Sequence, residues 1–252
     1  MSSAAPAIEF IEGAGRTRLA LHRLGAGRKV LLLHGLFSSA GVNWIKFGTA
    51  AQIAARGFEV LMPDLRAHGQ SEAPHDRAAW PADVLAKDVA ALVAALGLDD
   101  FDLGGFSLGA RTAVRAVLAG LAPRRLVLGG MGLEGLSGWD RRAAHFLGVI
   151  DRFGTIAHGE PGFAEQAFMK TMKVDRVAAR LLLQSVDDTP AAALGALSMP
   201  TLVVCGADDH DNGSAAALAA ALPQARYVEV PGTHMSSVTG SRFGEAIADF
   251  LS

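Results

Sequence analysis

The apolar run Val30-Leu31-Leu32-Leu33 leads straight into His34-Gly35 with no polar residue inside it, and Leu126-Val127-Leu128 repeats the pattern. A half-solvated strand alternates polar and apolar residues, so unbroken runs of this kind belong to strands covered on both faces. Short β-rich runs are expected at Ala7 to Ile11, Arg18 to Leu24, Lys29 to His34, Phe58 to Pro63, Phe101 to Gly105, Arg125 to Gly130, Thr201 to Gly206 and Arg226 to Val230. Helical stretches are expected between the later ones, at Trp44 to Ala55, Pro81 to Leu96 with proline in its first turn, Leu108 to Ala119, Ser214 to Leu222 and Ser237 to Leu251. Strand and helix alternate after the third strand. That order implies an α/β fold in which a mostly parallel eight-stranded sheet is flanked by helices through right-handed crossovers. Ligands of such sheets sit beyond the carboxyl ends of the strands.

One segment breaks the rhythm. From Gly135 onward the chain reads as helix without an intervening strand: Arg141 to Phe153, Gly162 to Met172, Asp175 to Ser185 and a shorter piece after Pro190. The expected organisation is a core of residues 1–134 and 198–252 interrupted by an all-helical cap at 135–197. Trp139, Phe146, Phe153, Phe163, Phe168, Met169 and Met172 are read first as the inner faces of these helices. Phe37, Trp139, Phe146, Phe168 and Met172 are the candidates for lining a substrate pocket.

Composition narrows the partners. A net charge of -2 with no long basic run leaves no electrostatic footprint for nucleic acid or an anionic membrane, so a small-molecule substrate is expected and the oligomeric state stays open. The start, Met1 to Pro6, has no basic region followed by an apolar stretch, and no later segment reaches the roughly 18 apolar residues of a membrane span; a cytoplasmic location is the expectation. Cys205, the single cysteine, cannot form an internal disulfide and reads as a small hydrophobe in a strand.

The chemistry begins at Gly105-Phe106-Ser107-Leu108-Gly109, between a strand and a helix. A serine hydroxyl is a poor nucleophile unless it is exposed beside a base, and a sharp strand-to-helix turn presents it at a helix amino end that favours developing negative charge. The same stretch fits neither a dinucleotide nor a P-loop glycine pattern, so no cofactor is expected. Among eight histidines, His234 follows a strand end in Val230-Pro231-Gly232-Thr233-His234 and is the candidate base. Asp208, Asp209 and Asp211 follow the strand Thr201 to Gly206 and compete to orient it. Consecutive neighbours in so short a loop make poor simultaneous ligands, so no metal is expected. The N–H of Leu108, next to the nucleophile, is one oxyanion donor. Arg111, one helical turn beyond Ser107, reads as a structural ion pair before an anchor for an acidic substrate.

Over nearly its whole length the chain resembles the α/β-hydrolase superfamily. The resemblance selects Asp209, three residues after the glycine closing its strand, and leaves Glu134 as the alternative used by a minority of relatives. It assigns the second oxyanion donor to Leu36 in Leu33-His34-Gly35-Leu36-Phe37, with His34 structural. Asp64-Leu65-Arg66-Ala67-His68-Gly69-Gln70-Ser71 is similar to the family's D-x-R-G-x-G-x-S turn, with Ala67 where glycine is usual. The implied activity is a serine hydrolase acting on a small ester or lactone through Ser107, His234 and Asp209 and an acyl-enzyme. Ser107 argues against epoxide hydrolases and haloalkane dehalogenases, which use aspartate at this turn. Carbon-carbon bond hydrolases, perhydrolases and a non-catalytic receptor keeping the pocket are the alternatives.

Overall fold

The computed structural model describes residues 7–252; Met1 to Pro6, read above for a leader, lie outside them. The strands are β1 (Ala7–Glu12), β2 (Arg18–Gly25), β3 (Arg28–Leu33), β4 (Phe58–Pro63), β5 (Phe101–Phe106), β6 (Leu126–Gly129), β7 (Thr201–Gly206) and β8 (Ala225–Val230). They form one sheet in the order β1-β2-β4-β3-β5-β6-β7-β8. β1 and β2 pair antiparallel, β2 meets β4 antiparallel, and every pair from β4 and β3 across to β8 is parallel.

The helices are α1 (Thr49–Ala54), α2 (Val84–Ala95), α3 (Leu108–Leu118), α4 (Trp139–Asp151), α5 (Phe163–Thr171), α6 (Arg176–Leu183), α7 (Ala215–Ala221), α8 (His234–Ser237) and α9 (Ser241–Leu251). The period-2 alternation of side chains sends Leu31 and Leu33 of β3 into the core shared with α2 and α3, while Val30 and Leu32 enter the core shared with α1 and α9. Both sets are fully buried, which is why β3 carries no polar residue in its last four positions. The exposed side chains Ile8 and Phe10 lie on β1, the strand at one edge. Among the described residues no helix is long and apolar enough to cross a membrane.

Three expected helices have different boundaries. Trp44 to Ala55 is a π-helical turn at Gly41–Ile45 followed by α1, with Gly48 at φ 86° between them. A left-handed residue cannot continue a right-handed helix. Pro81 does not open α2, because Asp83 at φ 55° precedes its first residue, Val84. The carboxyl-terminal stretch is broken at Gly240, whose extended backbone separates α8 from α9. That break matters, since it leaves His234 at the start of a one-turn helix rather than ahead of a long one.

Three helices, α4 to α6, lie between β6 and β7. Asp175 caps α6 by accepting from the N–H groups of Val177 and Ala178, each at 3.0 Å. Helix α6 buries Ala178, Ala179, Leu182 and Leu183 on one face, and Trp139 Nε1 donates to Leu183 O at 2.8 Å, tying α4 to α6. Arg111 on α3 anchors this segment to the core. It donates to Asp188 Oδ1 and Asp187 O, each at 3.2 Å, and to Gly135 O, with its guanidinium over the Trp139 ring. Asp188 in turn accepts from the N–H groups of Gly138 and Trp139 at the start of α4. Arg111 is therefore the structural ion pair that its place on the helix flank suggested.

Candidate active site

The strand order changes direction between β3 and β5. β3 is flanked by β4 on one side and β5 on the other, so the loops after β3 and β5 leave a crevice at the carboxyl edge. The register Leu33↔Gly105 brings the loop 34–37 beside Ser107. Ser107 is in a strained conformation, φ 54° and ψ −114°, at the turn into α3. The turn is possible because its neighbours lack side chains. A Cβ on Gly105 would lie 2.2 Å from Gly109 C, and one on Gly109 2.1 Å from Leu33 O.

A missing side chain also positions the histidine. Register Gly206↔Val230 places the loops after β7 and β8 side by side, but β6 separates them from β5. β6 ends in Gly129-Gly130, and a Cβ on Gly130 would sit 2.4 Å from the Phe106 ring. The missing side chain lets that ring lie across the end of β6, where it packs on His234 with centroids 4.8 Å apart. The imidazole thus reaches the residue preceding the serine. His234 is held in place by a capping box between Thr233 and Ser236, and its Nδ1 bonds Asp209 Oδ2 at 2.8 Å. Ser107, Asp209 and His234 are all buried.

Asp209 is the partner of His234. Asp208 and Asp211 are exposed, and Glu134 instead accepts the N–H of Ser214 at 2.8 Å. Burial pushes the Asp209 carboxyl up, but the hydrogen bond and charge of His234, helped by Cys205 and the Asp211 N–H, outweigh it and leave the pKa below the usual range. The Cys205 thiol donates to the same Oδ2 at 3.3 Å. Burial, with the Asp209 charge beside it, pushes that thiol up to about 12, so it stays a donor. Cys205 thus does more than pack inside its strand, and only its position four residues before Asp209, near the end of β7, signals the contact. Asp209, Asp211 and His234 offer donor atoms within 4.8 Å of one another, but Oδ2 and Nδ1 of the pair are already joined.

The loop after β3 is held by three of its own N–H groups. Gly35 N–H donates to Asn43 Oδ1 at 3.0 Å, Phe37 N–H to His68 Nε2 at 2.9 Å, and Ala40 N–H to Asp64 Oδ1 at 2.8 Å. Among the described residues the N–H groups of Leu36 and Leu108 have no acceptor, and both residues line a hollow with Ser107. His34 is structural. Its Nε2 accepts from Leu65 N–H at 2.9 Å, which puts the proton on Nδ1, facing Gly35 O at 2.8 Å. Ala67, where the resembling turn has glycine, adopts the left-handed backbone that glycine would, φ 64°.

His68 has the same tautomer for the same reason, and burial, with the neighbouring His34 second, holds its pKa down to about 3. The unfolded chain takes up that proton near pH 6.5, so it binds more protons than the folded one and stability falls as pH drops from about 6.5 toward 3. We expect His68→Gln to flatten this slope in denaturant titrations run across that range. Equal slopes for the two proteins would contradict the assignment.

The predicted pocket residues divide. Trp139 lines the hollow at Ser107, and Phe146 lines a larger cavity of about 580 Å³ that shares Arg111, Gly135, Arg142 and Asn212 with it. Phe37, Phe168 and Met172 line neither. Phe37, at φ 59°, turns its ring into the core, stacked on His68 and edge-on to Phe146. Phe168 packs against the core from α5, and Met172 sits where that helix ends. Arg142 and Asn212, which line both spaces, were not anticipated; nothing in the local sequence distinguishes them from surface residues.

The family pattern described as "alpha/beta hydrolase fold" matches residues 29–126. A solved hydrolase from Pseudomonas aeruginosa PA01 superimposes with a TM-score of 0.75 at 25% identity, covering 97% of this chain and 98% of that one. With the strand order and the serine turn, these likenesses show that the chain has the α/β-hydrolase fold. The chain is 34% identical over 160 residues to N-formylmaleamate deformylase of Pseudomonas putida, covering 62% of this chain and 56% of the relative. It is 30% identical over 151 residues to 2-hydroxy-6-oxo-2,4-heptadienoate hydrolase of Pseudomonas putida, covering 56% and 54%. The matches span about half the length of these curated relatives.

Proposed function

We propose that the protein hydrolyses a small carboxylic ester or lactone, with Ser107 as nucleophile, His234 as base and Asp209 orienting the imidazole. The observation that carries this reading is the 2.8 Å bond from His234 Nδ1 to Asp209 Oδ2, made over the ring of the residue next to Ser107. With Nδ1–H committed to the carboxylate, Nε2 is the free acceptor for the serine proton. Ser107 Oγ then attacks the carbonyl, the N–H groups of Leu36 and Leu108 hold the oxyanion, and His234 returns the proton to the leaving oxygen. Water repeats the sequence on the acyl-enzyme. Both curated relatives are named for the same broad kind of action, a deformylase and a hydrolase, which favours a hydrolase here.

The hollow at Ser107 has about 10 Å³, room for about one water. The bulk of a substrate must therefore occupy the adjoining cavity, and we read residues 135–197 as a cap that closes it. The test is stoichiometric labelling by a fluorophosphonate, mapped to Ser107, together with a blind panel of esters and lactones set beside vinylogous diketones. Labelling with ester turnover is expected. Turnover of the diketones alone would favour carbon-carbon cleavage, and a protein that neither labels nor turns over would favour a receptor.

A further inference from the structure

The hollow at Ser107 is bordered by two guanidinium groups, Arg111 and Arg142, and by no carboxylate. The two are differently occupied. Arg111 spends its donors on Asp188, Asp187 O and Gly135 O. Arg142, on α4, has a single acceptor among the described residues, the backbone carbonyl of Asp211 at 3.0 Å, and no carboxylate within ion-pair distance. A guanidinium has five N–H donors in a planar fork, so four of this one's are left without a protein acceptor among the described residues, and the side chain lines the hollow that holds the nucleophile. Its guanidinium carbon lies over the Phe146 ring, 5.6 Å from the centroid.

The acidic groups of the larger cavity do not neutralise it. Glu165 is paired with His145 at 3.2 Å, Glu134 accepts from Ser214 N–H at 2.8 Å, and Asp211 is exposed to solvent. Burial lowers the pKa of Arg142, with Asp211, Asp209 and Glu165 opposing from a distance. An arginine does not give up its proton in the physiological range, so Arg142 holds a half-buried positive charge with no carboxylate in direct contact among the described residues. The fork geometry fits a carboxylate bidentately.

We propose that Arg142 selects substrates whose acyl portion ends in a carboxylate, so that the protein's preferred substrates are half-esters of dicarboxylic acids or comparably acidic esters. This rests on the hydrolase reading above. Arg142 binds the far end of the acyl group while Ser107 attacks the near end, and Arg111 contributes only its fixed charge behind the site.

The experiment compares the monoethyl esters of succinic, glutaric and adipic acid with ethyl butyrate, valerate and hexanoate, followed by acid release. In the wild-type protein at least one acid half-ester is expected to exceed its uncharged counterpart in kcat/KM by on the order of 10- to 100-fold, the value of one charge-assisted bidentate contact. Arg142→Gln should abolish that ratio, chiefly through KM, and Arg142→Lys should restore part of it. A wild-type protein that favours the uncharged ester of every pair overturns the proposal without any variant. A folded Arg142→Gln protein that keeps the preference for the acid also overturns it. Absence of both turnover and Ser107 labelling would instead remove the hydrolase reading, and this proposal with it.

Discussion

Ser107→Ala should lower kcat on any ester the protein turns over by on the order of 10⁴-fold or more, with binding and folding retained. The size follows from the division of labour proposed for the sheet edge. Without the hydroxyl there is no covalent intermediate, and His234 has no proton to remove, while the donors at Leu36 and Leu108 remain to give a residual rate. Folding is retained because Ser107 Oγ supports no packing. The turn is held by backbone, through Ser107 N–H to Gly129 O at 2.9 Å and Arg111 N–H to Ser107 O at 3.0 Å. Alanine inherits the φ of 54° without new contacts. Steady-state kinetics beside a thermal melt decide the matter. A folded alanine variant with an undiminished rate would exclude the serine from the chemistry.

The largest stability effect is expected at Arg66, on the turn after β4. Its side chain is 1% exposed and donates to both oxygens of Asp88, at 2.9 and 2.6 Å, to Ala14 O at 2.6 Å and to Ala79 O. Arg66→Met strands a buried carboxylate and two carbonyls, at a cost of about 3 to 5 kcal/mol, a large part of the roughly 5–15 kcal/mol that holds a domain folded. In a chain of this length that lowers Tm by on the order of 10 °C. Adding Asp88→Leu should recover only part of the loss, because Asp88 also accepts the N–H of Ala14 at 2.9 Å. Denaturant titration of the single and double variants separates the contributions, and a loss under about 1 kcal/mol for Arg66→Met would show that water reaches the pair.

Much of the fold was legible because its signals are local. The apolar run Val30 to Leu33 could only be a strand covered on both faces, and glycines at 105 and 109 around a serine could only be a tight turn. His234 was found because it follows a strand end by a few residues, whereas the same spacing left Asp208, Asp209 and Asp211 in competition and the family resemblance selected Asp209. The helices misjudged were those whose ends depend on single backbone states, Gly48 at φ 86° and Asp83 at φ 55°, which apolar periodicity does not register. The pocket was the least legible part. Phe37, Phe168 and Met172 looked like lining residues because they are large and apolar, yet that same property packs Phe37 and Phe168 against the core, and Met172 falls at the end of α5. Arg142 carries no local signal that separates it from other charges on a helix.

By itself, then, the amino-acid sequence determined the strand order's raw material, the serine turn and the identity of the residues at the strand ends, because period, glycine placement and spacing act over a few residues. Tertiary structure alone decided which groups meet. Asp209 rather than Glu134 faces His234, the Cys205 thiol joins them, and Arg111 is paired with a carboxylate while Arg142 bonds only a backbone carbonyl. Those outcomes depend on the distance between atoms on different strands and helices, and hydrogen bonds and desolvation vary too steeply over an ångström or two for spacing along the chain to fix them.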